Sequence, residues 1–205
     1  MRTLTEKKRT DILNAATTVF IEQGYERASM EAVARTAGCS KATLYNYFSS
    51  KESLLEAVVR TYGTNFLTRA ADDIYSHENL HLPLSDRLQR FGEGMLGAMT
   101  SDWKGLQLYR MVIGEAGHSD IGDIFHESGV RESMNALAAL MEHHIEAGDL
   151  LPARPDLRAK QFSALVRAEA DEIFLLHSMP VYTRSDIITM VKSAVEIFVA
   201  GASPR

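Results

Sequence analysis

Apolar side chains recur three or four positions apart along almost the whole of this chain, and that spacing constrains it more than any other feature. Ile12, Leu13, Ala16, Val19 and Phe20 begin the pattern within Thr10–Gly24, and Gly24 ends the run. The same period returns in Leu84–Met99, Trp103–Gly117, Gly129–Gly148, Asp156–His177 and Arg184–Ala200. A repeat of this length places one stripe of side chains on one side of a helix, whereas a half-buried strand alternates every second residue. No long β-branched alternation competes with it, and the 205 residues include only five prolines. The expected fold class is all-α.

Residues 29–51, SMEAVARTAGCSKATLYNYFSSK, carry the most specific local pattern. Ser29 can cap a helix holding Val33 and Ala34, and Gly38 can supply the positive φ that ends it. Ser40 can cap a second helix whose inward face is Leu44 and Phe48, at i and i+4. Its outward face is then Lys41, Ala42, Thr43, Tyr45, Asn46 and Tyr47, small, hydroxyl-rich and aromatic. Such a face suits a DNA major groove, and an N-terminus like that at Ser29 can receive a phosphate. Spacing alone equally allows an ordinary helical hairpin with half-buried tyrosines. Ser49 and Glu52 have capping-box spacing, so a fresh helix is expected there. Its stripe of Leu54, Leu55, Val58, Val59, Tyr62, Phe66 and Leu67 predicts a continuous helix to about Ile74, a lever between two parts of the chain. Lys51, near its start, is a phosphate candidate.

Charge divides the chain in the same place. The formal net charge is −5, yet residues 1–60 hold nine Lys/Arg against seven Asp/Glu, and the remainder thirteen against twenty. Arg2, Lys7, Lys8 and Arg9 cluster at the N-terminus. Phosphate contact depends on local charge, so the acidic average does not exclude nucleic acid. The single cysteine, Cys39, excludes an intrachain disulfide framework and fits a cytosolic protein, with packing as its expected role and thiol sensing the alternative. No apolar run approaches the ~20 residues that span a bilayer, and no signal-peptide stretch is visible, so a cytoplasmic location is expected.

In the body, Gly92, Gly94 and Gly97 interrupt one helix. They permit close helix contact, a bend or room for a ligand, and spacing does not choose among these. The last two helices are apolar on more than one face. Two such pairs, one from each of two subunits, would form a four-helix interface under two-fold symmetry.

Residues 4–62, with the run SKATLYNYFSSKESLLEAV, resemble the DNA-binding domain of TetR/AcrR-family transcriptional regulators. The Gly38 turn, Thr43-Leu44-Tyr45, Phe48, Lys51-Glu52 and Leu54-Leu55 appear in order. The later run LYRMVIGEAGHSDIGDIFHESG is similar to the AefR-like C-terminal subgroup. The resemblance implies about nine helices: a three-helix helix-turn-helix domain at 1–50, then an effector-binding and dimerisation bundle at 51–205. It implies base contacts from Lys41, Ala42, Thr43 and Tyr45, and phosphate contacts from Ser29, Asn46, Tyr47 and Lys51. Glu31 stands where some relatives carry a base-reading arginine. The resemblance also implies a homodimer through the last two helices, and the interface candidates there are Phe162, Leu165, Val166, Ile173, Phe174, Ile187, Val191, Val195 and Phe198. The partners expected are a duplex operator of approximate two-fold symmetry, a second copy and a small organic effector, with no cofactor and no membrane.

Phe91, Met95, Met99, Trp103, Leu106, Tyr109, Arg110, Ile113, Glu115, His118, Phe125, Met134 and Met141 are the candidate effector-pocket residues, with Arg110, Glu115 and His118 as polar anchors. Core packing is the alternative role for each. The seven histidines show no HExxH pattern, and no cysteine cluster has zinc-site spacing, so no metal site is expected. Neither a GxSxG elbow, a GxGxxG turn nor a phosphate loop is present, so an enzyme is not expected. The expected function is a ligand-responsive repressor. Its alternatives are a metal- or thiol-responsive regulator and a non-catalytic helical interaction protein.

Overall fold

The structure is a computed structural model describing residues 5–64, 68, 71, 72, 74, 76, 81–101, 103–178 and 180–204. Among these it is helical, without a strand. The elements are α1 (Glu6–Gln23), α2 (Met30–Thr36), α3 (Lys41–Tyr47) and α4 (Lys51–Val58), the last continued by a π-helical turn at Val59–Gly63. Next come α5 (Leu84–Ser101), α6 (Trp103–Glu115), and α7 (Ile121–Phe125) with a second π turn at His126–Val130. The chain ends with α8 (Arg131–Glu146), α9 (Pro155–Arg167), a 3-10 turn (Asp171–Phe174) and α10 (Arg184–Ala202). No helix among the described residues is long and apolar enough to cross a membrane.

Packing groups these elements into two compact units, Met1–Asn65 with Lys104–Ser128, and Phe66–Trp103 with Gly129–Arg205. This division differs from a boundary after residue 50, because α4, most of α6 and α7 join α1–α3.

In the first unit the early apolar stripe is the core: Ile12, Leu13, Ala16, Val19 and Phe20 are buried, and Leu44, Leu54, Leu55, Val58 and Val59 complete it. The Phe20 ring meets Tyr25 edge-on at 5.8 Å. The first helix begins earlier than its apolar stripe, because Thr5 caps it by accepting from Lys8 N. The capping box at the start of α4 is Ser50 with Ser53 rather than Ser49 with Glu52: Ser50 Oγ accepts from Ser53 N, and Ser53 Oγ from Ser50 N, both at 3.1 Å. The long lever helix keeps α-helical form only to Val58 and passes into the π turn. A Cβ on Gly63 would lie 3.2 Å from both Leu108 Cδ2 and Phe125 Cε2, so glycine there lets the turn approach α6 and α7. Thr64 Oγ1 donates to Ser128 O at 2.5 Å. Phe66, Leu67 and the continuity of the helix toward Ile74 lie outside the described residues, as does Arg2.

The second unit buries Leu88, Phe91 and Leu96 of α5 with Leu137, Leu140 and Met141 of α8, Phe162 and Val166 of α9, and Val191 and Phe198 of α10. The Phe162 ring lies 6.4 Å from Phe91 and 5.4 Å from Phe198. The structure settles the role of Gly92: a Cβ there would stand 2.5 Å from Val191 Cγ1 and 3.2 Å from Val166 Cγ2, so it serves close helix contact. The helix expected over Asp156–His177 ends at Arg167. Ala168 N donates to Leu165 O, Ala170 N to Arg167 O and Ile173 N to Ala170 O, an i to i−3 pattern that still buries Ala170 and Ile173. A spacing of three fits both helix types, which is why periodicity alone extended the α-helix. Thr183 and Asp186 form a reciprocal capping box at α10. The Thr183 hydroxyl, then its backbone amide, holds the Asp186 carboxyl below its ordinary range.

Candidate nucleic-acid interface

The two helices of residues 29–51 are defined by their caps. Ser29 Oγ accepts from Ala32 N at 3.2 Å, and Ser40 Oγ accepts from Thr43 N at 3.0 Å. Between them, Gly38 takes φ +58, with Gly38 N donating to Arg35 O and Cys39 N to Ala34 O. This is the paired hydrogen-bond pattern by which a left-handed glycine closes a helix. Leu44 and Phe48 are buried, fixing α3 by one side. Lys41, Ala42, Tyr45 and Asn46 face solvent, and Thr43 and Tyr47 are half-buried.

The surroundings decide what each polar group has left to offer. Thr43 Oγ1 pairs with Ser40 Oγ at 2.8 Å. Tyr47 Oη accepts from Thr5 N at 2.8 Å, joining the end of α3 to the cap of α1, and keeps its own proton to donate. Lys8 Nζ donates to Ala37 O at 2.8 Å, and the Arg9 guanidinium lies 5.4 Å from the Phe48 ring centroid, so half of the basic N-terminal cluster braces the motif. Lys41 Nζ donates to Glu31 Oε1 across the two helices. That bond lowers the Glu31 carboxyl below its ordinary range and raises the Lys41 ammonium above its own. Glu31 thus orients Lys41 from the preceding helix.

Lys51, a phosphate candidate, is bonded to the turn before α2. Its ammonium donates to the carbonyls of Tyr25, Glu26 and Ala28 at 2.9, 3.3 and 3.4 Å, and sits 4.3 Å from the Tyr25 ring centroid. An ammonium has three N–H donors, and three carbonyls of this turn lie within reach of them. The carboxylate of Glu115, a candidate effector anchor, accepts from Tyr25 N at 3.0 Å and Glu26 N at 3.2 Å.

Residues 12–58 match the family described as "Bacterial regulatory proteins, tetR family", and residues 86–201 match "AefR-like transcriptional repressor, C-terminal domain". The chain belongs to the TetR family. It is 38% identical over 81 residues to the HTH-type transcriptional regulator UidR of Escherichia coli K12, covering 40% of each chain. The chain thus spans about two-fifths of the length of the curated relatives it matches. Across its full length it is similar to the flavonoid-responsive regulator FrrA, at 28% identity and TM-score 0.74, covering 98% of this chain and 100% of that one. A TetR-family regulator from Mesorhizobium loti shares the fold at TM-score 0.78 and 23% identity, covering 99% and 100%. This TetR-family protein has an N-terminal helix-turn-helix domain and a C-terminal helical domain, and the relatives it matches are transcriptional regulators.

The remaining sequence candidates separate between the units. Leu106, Tyr109, Arg110, Ile113, Glu115, His118 and Phe125 belong to the first, where Leu106 and Phe125 are buried and Tyr109 meets Phe125 edge-on at 5.5 Å. Ile113 and His118 are exposed. Phe91, Met95, Met99, Trp103, Met134 and Met141 belong to the second, with Phe91, Met95 and Met141 buried, and Trp103 exposed. Among the described residues no cluster of three potential metal ligands occurs.

Six of the expected interface residues, Phe162, Val166, Ile173, Val191, Val195 and Phe198, are at most 6% exposed within the subunit. They form its core, since α9 and α10 turn their richer apolar faces toward α5, α8 and each other. Leu165, Phe174 and Ile187 are half-buried. The outward faces carry Leu157, Ile188 and Ile197 instead. Between α9 and α10 runs a shallow groove of about 440 Å³, lined by Ala164, Leu165, Ala168, Ile197, Phe198 and Gly201, with Arg158 and Gln161. The signal for these residues was present in the sequence, as apolar positions off the main stripe.

Proposed function

We propose that this regulator is a cytoplasmic homodimeric repressor that reads an operator of approximate two-fold symmetry with α3 and leaves it on binding a small, largely apolar organic effector. The observation that carries the reading is α3 itself: Leu44 and Phe48 anchor it, while Lys41, Ala42 and Tyr45 stand in solvent and Thr43 lies beside them. Lys41 and Tyr45 supply donors to base edges, and Ala42 and Thr43 supply methyl groups suited to thymine. Ser29, Asn46 and Tyr47 hold phosphate oxygens. Lys51 is left out, since its donors go to the neighbouring turn.

The second copy packs on the outward faces of α9 and α10, over the groove lined by Leu165 and Ile197. The effector class follows the likeness to flavonoid-responsive FrrA and the aromatic and methionine content of α5, α6 and α8. Residues 1–50 do the reading, and residues 51–205 bind the effector and the second copy. Selection from a random duplex library tests the DNA assignment. Wild-type protein should enrich one near-palindromic sequence, and Tyr45→Ala and Thr43→Ala should each alter it. An unchanged preference in both variants overturns the role of α3. For induction, an effector confirmed by calorimetry should weaken operator binding in titration, and unchanged operator affinity refutes it.

A further inference from the structure

The turn from Gly24 to Ala28 is held from two sides by opposite charges. Its amides at Tyr25 and Glu26 donate to the two carboxylate oxygens of Glu115. Its carbonyls at Tyr25, Glu26 and Ala28 accept from the Lys51 ammonium. Each charge meets the backbone dipole ends of opposite sign, and charge-assisted bonds of this kind are stronger than neutral ones. Glu115 is the last residue of α6. A carboxylate there faces the negative end of its own helix dipole, so local preference does not explain it. Gly24 adds a second constraint: its φ is +77, and a Cβ at that position would collide with Glu115 Oε1.

The place of this turn gives the clamp its consequence. Ser29, the cap of α2, follows the turn directly, and Lys51 opens α4 just beyond α3. The two ends of the α2–α3 pair are therefore tied to one short backbone segment, and Glu115 fixes that segment from a helix outside the motif. We infer that Glu115 is a positioning residue for operator binding: its carboxylate orients the α1–α2 turn, and with it the reading helices, without touching DNA. Glu115 lies within residues 86–201, the part matching the C-terminal family domain rather than the DNA-binding one.

Operator affinity of the full-length protein tests this, measured at a temperature where each variant is folded by circular dichroism. Glu115→Ala should weaken binding about tenfold, the effect of losing one charged hydrogen-bond pair. Glu115→Gln keeps one acceptor oxygen and should recover part of the loss. Neither variant should change the preferred sequence or the salt dependence, because Glu115 neutralises no phosphate. Exchange of the Tyr25 and Glu26 amides should accelerate in Glu115→Ala. Gly24→Ala should weaken binding in the wild-type background and do so less in Glu115→Ala, where the collision is gone. Wild-type affinity in both Glu115 variants, or effects of Gly24→Ala and Glu115→Ala that simply add, would overturn the inference. Wild-type protein that binds no duplex would instead count against the reading of α3.

Discussion

Replacing Gly92 with alanine sets two effects of known size against each other. Gly92 lies in the interior of α5, where alanine should stabilise the helix by about 0.5–1 kcal/mol. The new Cβ, however, would stand 2.5 Å from Val191 Cγ1, 3.4 Å from Val191 Cγ2 and 3.2 Å from Val166 Cγ2. Carbon atoms pack best at roughly 3.5–4.0 Å, so the first contact overlaps by about 1 Å. Val191 is fully buried and β-branched, so its side chain is stiff at χ1. Overpacking of this kind costs about 1–3 kcal/mol. The clash should prevail, and Gly92→Ala should lower stability by about 0.5–2 kcal/mol. Val191→Ala alone removes two buried carbons and should cost about 2 kcal/mol. In that background the 2.5 Å contact is gone and only the 3.2 Å approach to Val166 Cγ2 remains, so Gly92→Ala should lose most of its cost or stabilise by up to about 1 kcal/mol. Urea denaturation of the four proteins at one fixed concentration measures the cycle. If Gly92→Ala stabilises the wild-type protein, or has the same effect in both backgrounds, the close approach of α5 to α10 is wrong.

Other perturbations test separate parts of the molecule. Burial of Tyr25, reinforced by Glu52, pushes its phenol well above the ordinary 10.0. A raised pKa means this stabilisation is intact below pH 10 and is lost as pH rises further, by up to about 1.4 kcal/mol per pH unit. Urea unfolding at pH 9 and pH 11 should show that loss in wild type and a smaller one in Tyr25→Phe. Ser40→Ala removes the cap of α3 and should cost about 1 kcal/mol, read by denaturation, with weaker operator binding. Ile197→Asp places a charge on the outward face of α10 and should shift the protein to monomer in sedimentation; a persistent dimer would refute the proposed interface. Asp186 has a folded pKa depressed below its ordinary 3.8, so its contribution is full above that value and is lost progressively as pH falls below it and the folded carboxylate protonates. Exchange of the Thr183 amide, which donates to Asp186 Oδ2, should accelerate relative to its intrinsic rate and would report it.

Much of the reading motif was visible in the sequence because its determinants are local. Ser29, Gly38 and Ser40 act within four residues of where they stand, and Leu44 with Phe48 announces one face of a short helix. The start of α4 was less legible, because neighbouring serines at 49 and 50 offer similar caps, and packing selects Ser50. Glu31 and Lys41 were visible as charges, but their bond depends on the angle between α2 and α3.

The all-helical chain, the capped helix-turn-helix near its start and the apolar stripe of each helix are written in contiguous residues, since periodicity and capping are local properties. Which neighbour covers each stripe emerges only when the helices pack. A period of 3.6 shows that Phe162, Val191 and Phe198 seek burial, but it cannot say whether their own subunit or a second copy supplies it. The same limit hid Gly92, which is needed only because Val191 arrives ninety-nine positions later. It also hid Glu115, ninety positions from the Tyr25 amide that it holds. Contacts between distant segments are set by how helices approach in space, and no local pattern in the chain encodes that approach.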